Sequence, residues 1–135
     1  MIVVDTDVLC YAYLRLDPER SELADRVTEK DDEWAMPTVW PHEFWNVLAS
    51  YVRFHGMPVR TARRLAAAVS DRFRVRTIPV PAREVLNAVA EGNRTAYDAQ
   101  YIALARRLGI TLVTGDRKLA QAFPDCAVTM EAFTS

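Results

Sequence analysis

The chain is poor in the residues that staple a fold or ligate soft metals. Its 135 residues include two cysteines, two histidines and four glycines. Cys10 and Cys126 form no CxxC pair and lie far apart, so they read as small buried side chains in a reducing compartment rather than as a disulfide. His42-Glu43 is not followed by the second histidine of a zincin helix, which leaves little for zinc chemistry. No apolar run approaches the roughly 18–20 residues that span a bilayer. The opening Met1-Ile2-Val3-Val4-Asp5 has no basic region and meets a carboxylate at once, so it does not read as a signal peptide. Repeats, low-complexity stretches and linkers are also lacking. The length bounds one domain, residues 1–135, which can bury about two-thirds of its unfolded surface and so fold without staples.

The chain does have an ordinary globular composition, 50% hydrophobic and 26% charged, which argues against disorder. Its net charge of −1 hides a segregation. Residues 1–43 carry eleven acids and four bases, for −7. Residues 44–83 carry eight arginines and the single acid Asp71, for +7, and the remainder is −1. One near-neutral domain thus holds an acidic and a basic region.

Ile2-Val3-Val4 is apolar at consecutive positions, the pattern of a strand buried on both faces. Val8 to Leu14 fits a first helix, and Pro18 to about Asp32 a charged one with Leu23, Ala24 and Val27 inward. Trp34-Ala35-Met36 reads as a second strand closed by Pro37. Thr38 reads as the N-cap of a long helix to about His55, with Pro41 harmless in its first turn. Val59 to Phe73 is a further helix, Val75 to Val80 a third strand, and Pro81 opens a helix to about Glu91. Thr95 caps a helix to Leu108 whose inward stripe is Tyr101, Ile102, Ala105 and Leu108, and Gly109 stops it. Ile110 to Val113 is a fourth strand, Asp116 to Phe123 a short helix, and Ala127-Val128-Thr129 a fifth strand. The alternation predicts a three-layer α/β domain with a mostly parallel central sheet of about five strands.

Four acids then take on meaning. Asp5 follows the first strand, Asp116 lies just beyond the fourth, Glu43 sits early in the helix after the second, and Asp98 occupies the first turn of the helix capped by Thr95. In an open parallel sheet the carboxyl ends of the strands share the edge where ligands bind. Asp5, Glu43 and Asp116 belong at that rim, and Asp98 joins them if its helix begins there. Carboxylates crowded in one cleft repel unless a cation intervenes. Mg²⁺ or Mn²⁺ prefers oxygen ligands and can activate water and polarise a phosphoryl oxygen. The constellation suits metal-assisted phosphodiester hydrolysis.

Four segments carry a specific resemblance: Ile2-Val3-Val4-Asp5-Thr6, Glu43 in its Trp-rich helix, Tyr97-Asp98-Ala99-Gln100-Tyr101-Ile102-Ala103-Leu104-Ala105, and Leu112-Val113-Thr114-Gly115-Asp116-Arg117-Lys118-Leu119. Together they resemble the PIN domain and, more narrowly, the VapC toxins of bacterial toxin–antitoxin (VapBC) pairs. The four acids match in order, spacing and setting, and the resemblance spans the whole chain. It implies a cytoplasmic Mg²⁺- or Mn²⁺-dependent endoribonuclease, a homodimer held inactive by a VapB-type antitoxin, whose RNA product keeps a 5′-phosphate. On the family pattern Asp5 and Asp98 are the leading metal ligands, Asp116 completes the site, and Glu43 ligates or orients water. Thr6 and Thr114 match supporting hydroxyls. Asp7 departs from the pattern, standing where the family commonly has Asn; it either caps the first helix or deepens the negative potential of the pocket.

Blander roles stand beside these. Asp5, Asp98 and Asp116 each sit where a helix cap or a capping-box acid would serve. Trp34, Trp40 and Trp45 are either stacking platforms for bases or core and interface. Of Tyr97 and Tyr101, at least one is core. The arginines at 53, 60, 63, 64, 72, 74 and 76 contact phosphates, an acidic partner or solvent. Arg94, Arg117 and Lys118 lie nearer the rim and are the better candidates for RNA phosphate. His55 at a helix end suits the dipole. Two rival functions remain. One is a haloacid-dehalogenase-like phosphatase, suggested by Asp5-Thr6-Asp7 but weakened by Leu9 where that motif wants Thr or Val. The other is a silent PIN-fold module that binds RNA or protein without cutting.

Overall fold

A computed structural model describes all residues, 1–135. Five parallel strands form one sheet in the order β3-β2-β1-β4-β5. They are β1 (Ile2–Val4), β2 (Trp34–Pro37), β3 (Thr77–Ile78), β4 (Leu112–Thr114) and β5 (Ala127–Thr129). The helices are α1 (Thr6–Leu14), α2 (Pro18–Lys30), α3 (Trp40–Phe54), α4 (Val59–Phe73), α5 (Ala82–Gly92), α6 (Ala96–Leu108), α7 (Arg117–Ala122) and α8 (Met130–Thr134). Val3, Val4, Leu112 and Val113 are fully buried, as consecutive apolar residues in a covered parallel strand must be. α6 lies against β1, β2 and β4 with α5 packed on it, while α1, α2, α3, α4 and α8 pack in a chain of their own neighbours.

The topology builds a crevice. From β1 the chain steps outward to β2 and β3, then returns to the other side of β1 for β4 and β5. The reversal falls between β1 and β4, paired as Val3 with Leu112 and Val4 with Val113. Loops leaving such strands at their carboxyl ends diverge, and ligands bind in the gap. Asp5 and the Gly115-Asp116 turn leave these two strands.

Several boundaries differ from expectation, each for a local reason. α1 begins at Thr6 because Asp5 is its cap: the Val8 amide donates to Asp5 Oδ1 at 3.1 Å. Asp7 therefore does not cap α1; it sits in its first turn. Thr38 does not cap α3. Val39 occupies that position in αR geometry without a side-chain cap bond, so a turn runs directly into the helix. The third strand is reduced to Thr77–Ile78, because residues 74–76 coil into a 3₁₀ turn and Pro79 and Pro81 have no N–H for the ladder. β4 starts two residues late because the Ile110 amide still serves the end of α6, donating to Ala105 O at 3.0 Å beyond Gly109 at φ +66°. At its other end, pairing with Thr129 of β5 keeps Thr114 inside the strand. α8 was not expected; Thr129 caps it through the Ala132 amide, and five residues carry too little periodicity to announce a helix.

Candidate active site

The crevice at the reversal holds all five acids. Asp5, Thr6, Asp7, Glu43, Asp98, Tyr101, Asp116 and Leu119 line one cavity of about 60 Å³. β1 delivers Asp5, the first turn of α1 Thr6 and Asp7, the first turn of α3 Glu43, the first turn of α6 Asp98, and the turn after β4 Asp116. α6 does start at the rim, and Thr95 caps it as expected, accepting from the Asp98 amide at 3.2 Å.

Asp5 is buried at 7% exposure. The Thr114 hydroxyl donates to its Oδ2, and the Gly115 amide lies 3.3 Å from the same oxygen. A Cβ at Gly115 would stand 3.0 Å from Asp7 Cβ, so any larger residue here would press on the first turn of α1. Burial, and then the charge of Asp7, push the Asp5 carboxyl up to about 7 despite these donors. Asp7 is exposed as a residue, yet the cavity wall shelters its carboxyl. That shelter raises its pKa, and the charges of Asp116, Glu43 and Asp98 add to the rise. Asp7 thus faces the acid pocket.

Glu43 is held from two sides. Thr6 Oγ1 donates to its Oε1 at 2.9 Å and the Tyr101 hydroxyl to the same oxygen at 2.6 Å. Burial drives the Tyr101 phenol above its usual pKa, with Glu43 adding to the shift, so it remains a proton donor. Asp98 and Asp116 share Arg94, whose guanidinium donates to Asp98 Oδ2 at 2.9 Å and to Asp116 Oδ2 at 2.5 Å. Asp116 Oδ1 accepts from the Lys118 and Leu119 amides at 2.9 and 3.2 Å, capping α7. Burial pushes Asp116 up, but those amides and Arg94 outweigh it and hold the carboxyl below the usual range.

Cap and site are therefore not alternatives. Asp5 and Asp116 cap helices and line the cavity at once. Arg94 lies at the rim as expected, but it is engaged with two of the acids. Arg117 and Lys118 are exposed at the start of α7 and enter no ion pair. Trp34 and Trp40 are core at 2% and 1% exposure, Trp45 is exposed, and Tyr97 is exposed while Tyr101 is buried. His55 caps α3 and packs on Tyr51. Cys10 and Cys126 are unpaired and only half-buried. The site contact that sequence reasoning missed is Tyr101. Its place on the inward stripe explains the burial, but only the fold shows its hydroxyl meeting Glu43.

No three of these side chains stand gathered closely enough to hold an ion as they are, yet the donor set fits a hard divalent cation. Every available donor is an oxygen. Both Asp7 oxygens, Glu43 Oε2 and Asp98 Oδ1 have no hydrogen-bond partner, while the committed oxygens are on Asp5, Asp116 and the far sides of Glu43 and Asp98. Five carboxylates face one guanidinium, so a buried acid near pKa 7 marks an unmet need for positive charge.

A parallel α/β domain with a carboxylate cluster at its strand-order reversal is the class that fold and site define. The chain belongs to the PIN domain family: the family profile matches residues 2–123. It is 29% identical over 126 residues to Ribonuclease VapC3 of Pyrobaculum aerophilum, covering 91% of this chain and 95% of that protein. Its structure is similar to the crystal structure of PAE2754 from Pyrobaculum aerophilum, with a TM-score of 0.75, 25% identity, and coverage of 98% of this chain and 92% of that one. Family membership removes the dehalogenase-like phosphatase as a rival. No helix is long and apolar enough to cross a membrane.

Proposed function

We propose that this protein is a cytoplasmic, Mg²⁺- or Mn²⁺-dependent endoribonuclease of the VapC type, the toxin of a toxin–antitoxin pair. The observation that carries the reading is the convergence of Asp5, Asp7, Glu43, Asp98 and Asp116 on one cavity at the sheet's switch point. The similarity to Ribonuclease VapC3 supports RNA as substrate. Asp5 and Asp98 would hold the cation, with Glu43 and Asp7 adding free oxygens. A divalent ion in this place would polarise a phosphoryl oxygen and lower the pKa of an attacking water. Glu43, pinned through Oε1, would have Oε2 free to orient that water. Thr114 fixes Asp5. Arg94, held between Asp98 and Asp116 at the rim, stands where it would meet the substrate phosphate, and Asp116 would complete the acid set. Arg117 and Lys118 bind the flanking RNA backbone.

The same reading includes a VapB-type antitoxin and a homodimer. The antitoxin surface is the apolar groove between α3 and α4, about 340 Å³, lined by Trp45, Val52, Val59, Ala62, Arg53 and Arg63 among others. Its two arginines are in no ion pair, so the groove complements an acidic amphipathic helix.

The test is cleavage of structured RNA by purified protein freed of any antitoxin. Wild type is expected to cut with Mg²⁺ or Mn²⁺ and to stop on chelation, and Asp98→Asn to lose about 100-fold or more. Equal cleavage by wild type and Asp98→Asn contradicts the reading. A folded wild type that binds RNA without cutting it makes the protein the silent module.

A further inference from the structure

Tyr101 is 1% exposed, with its ring in the core between α6 and the sheet. Its one polar atom pairs only with side chains, although most side-chain hydrogen bonds go to backbone or water. It reaches the cavity instead. The hydroxyl is 2.6 Å from Glu43 Oε1 and 2.7 Å from Thr6 Oγ1, and Thr6 Oγ1 is 2.9 Å from the same Glu43 oxygen. Three oxygens from α6, α1 and α3 therefore close a triangle, and residues 58 and 95 positions apart are tied through it. Glu43 has three side-chain torsions and is only half-buried, so alone it would sample several rotamers. Inside the triangle one oxygen is taken twice and the other is left without a partner in the cavity.

We propose that Tyr101 is a positioning residue of the nuclease: with Thr6 it locks Glu43 so that Oε2 alone is presented to the cation and its water. The proposal rests on the nuclease reading above and deepens it. Tyr101 sits three residues after Asp98, on the helix that also presents that acid. A single turn of α6 therefore supplies one acid directly and orients a second from another helix. A buried tyrosine serving the core alone would place its hydroxyl anywhere it could be satisfied. This one spends its bond on a carboxylate of the site.

Tyr101→Phe keeps the ring and removes only the donor. Outer partners of this kind typically govern about 10- to 100-fold in metal affinity or activity. The variant is expected to fold, shown by a cooperative melt and unchanged circular dichroism. Its kcat on structured RNA should fall about tenfold or more while KM stays the same, since Tyr101 does not reach the RNA. Its Mn²⁺ affinity, read by calorimetry in the absence of RNA, should weaken severalfold. In a Glu43→Ala background the same change should cost nothing further, because nothing remains to orient. Unchanged kcat and Mn²⁺ affinity in a folded Tyr101→Phe overturn the proposal. So does a Tyr101→Phe effect that multiplies with Glu43→Ala. Were Tyr101→Phe to unfold the chain, Thr6→Val would remove the other donor of the triangle, and the same two readouts decide. Failure of this proposal with Asp98→Asn still inactive leaves the nuclease reading standing. Full cleavage by Asp98→Asn removes both.

Discussion

Asp5 shows how one residue meets two demands. Its side chain caps α1 through the Val8 amide and takes the Thr114 hydroxyl, both of which favour a carboxylate, yet burial and Asp7 raise its pKa to about 7. The sign of the consequence is fixed. Below about pH 4 the folded and unfolded chains both carry the proton. Between about pH 4 and 7 the folded state keeps a proton that the unfolded state has lost, so stability falls as pH rises, by on the order of 4 kcal/mol at most. Above about pH 7 the cost is constant. Chelator-treated protein should therefore melt lower at about pH 8 than at about pH 5, Asp5→Asn should shrink that difference to what the raised Asp7 carboxyl contributes, and Mn²⁺ should restore the wild-type melting temperature at the higher pH. Differential scanning calorimetry of the two proteins checks this. An identical pH slope in both contradicts the burial of a strained acid here.

At the scale of elements, α3 joins two surfaces. Its first turn presents Glu43 to the cavity, and further along it forms the apolar groove with α4. The groove's flanking charges predict a partner effect separable from catalysis. Arg53→Glu with Arg63→Glu should weaken a synthetic acidic amphipathic helical peptide by about tenfold or more in fluorescence anisotropy, mainly through association rate, with RNA cleavage retained. If cleavage falls and peptide binding holds, those arginines belong to the RNA surface.

Elements were legible from sequence where cap, apolar stripe and stop coincide. Thr95, the stripe through Ile102 and Gly109 define α6 to the residue. Legibility failed where neighbours decide. Thr38 looks like a cap, but the turn into α3 needs none. Val75 looks like strand, yet it is 83% exposed on a 3₁₀ turn at the sheet's edge. The acid set was legible because each acid follows a strand or opens a helix. The Arg94 bridge and the Tyr101 hydroxyl were not. Each depends on which helices meet across the crevice, and no spacing within one segment encodes that.

For the whole molecule, a net charge of −1 describes neither region that matters. Asp5, Asp7 and Glu43 come from the acidic first third and meet Asp98 and Asp116 from the last, because the strand order brings β1 beside β4. The basic middle segment supplies α4 and the arginines of its groove. The far sides of the chain are thus joined into one site where five carboxylates face the single guanidinium of Arg94, so that positive charge is short. That shortage is the central claim, and titration of Mn²⁺ into chelator-stripped wild type and Asp5→Asn by isothermal calorimetry, near pH 7 and without RNA, tests it most directly. Wild type should bind with release of protons, since a carboxyl of pKa about 7 must ionise to ligate, and Asp5→Asn should lose both the affinity and the proton release. Equal Mn²⁺ binding by the two proteins, or none by the wild type, would contradict a metal-dependent centre built on Asp5.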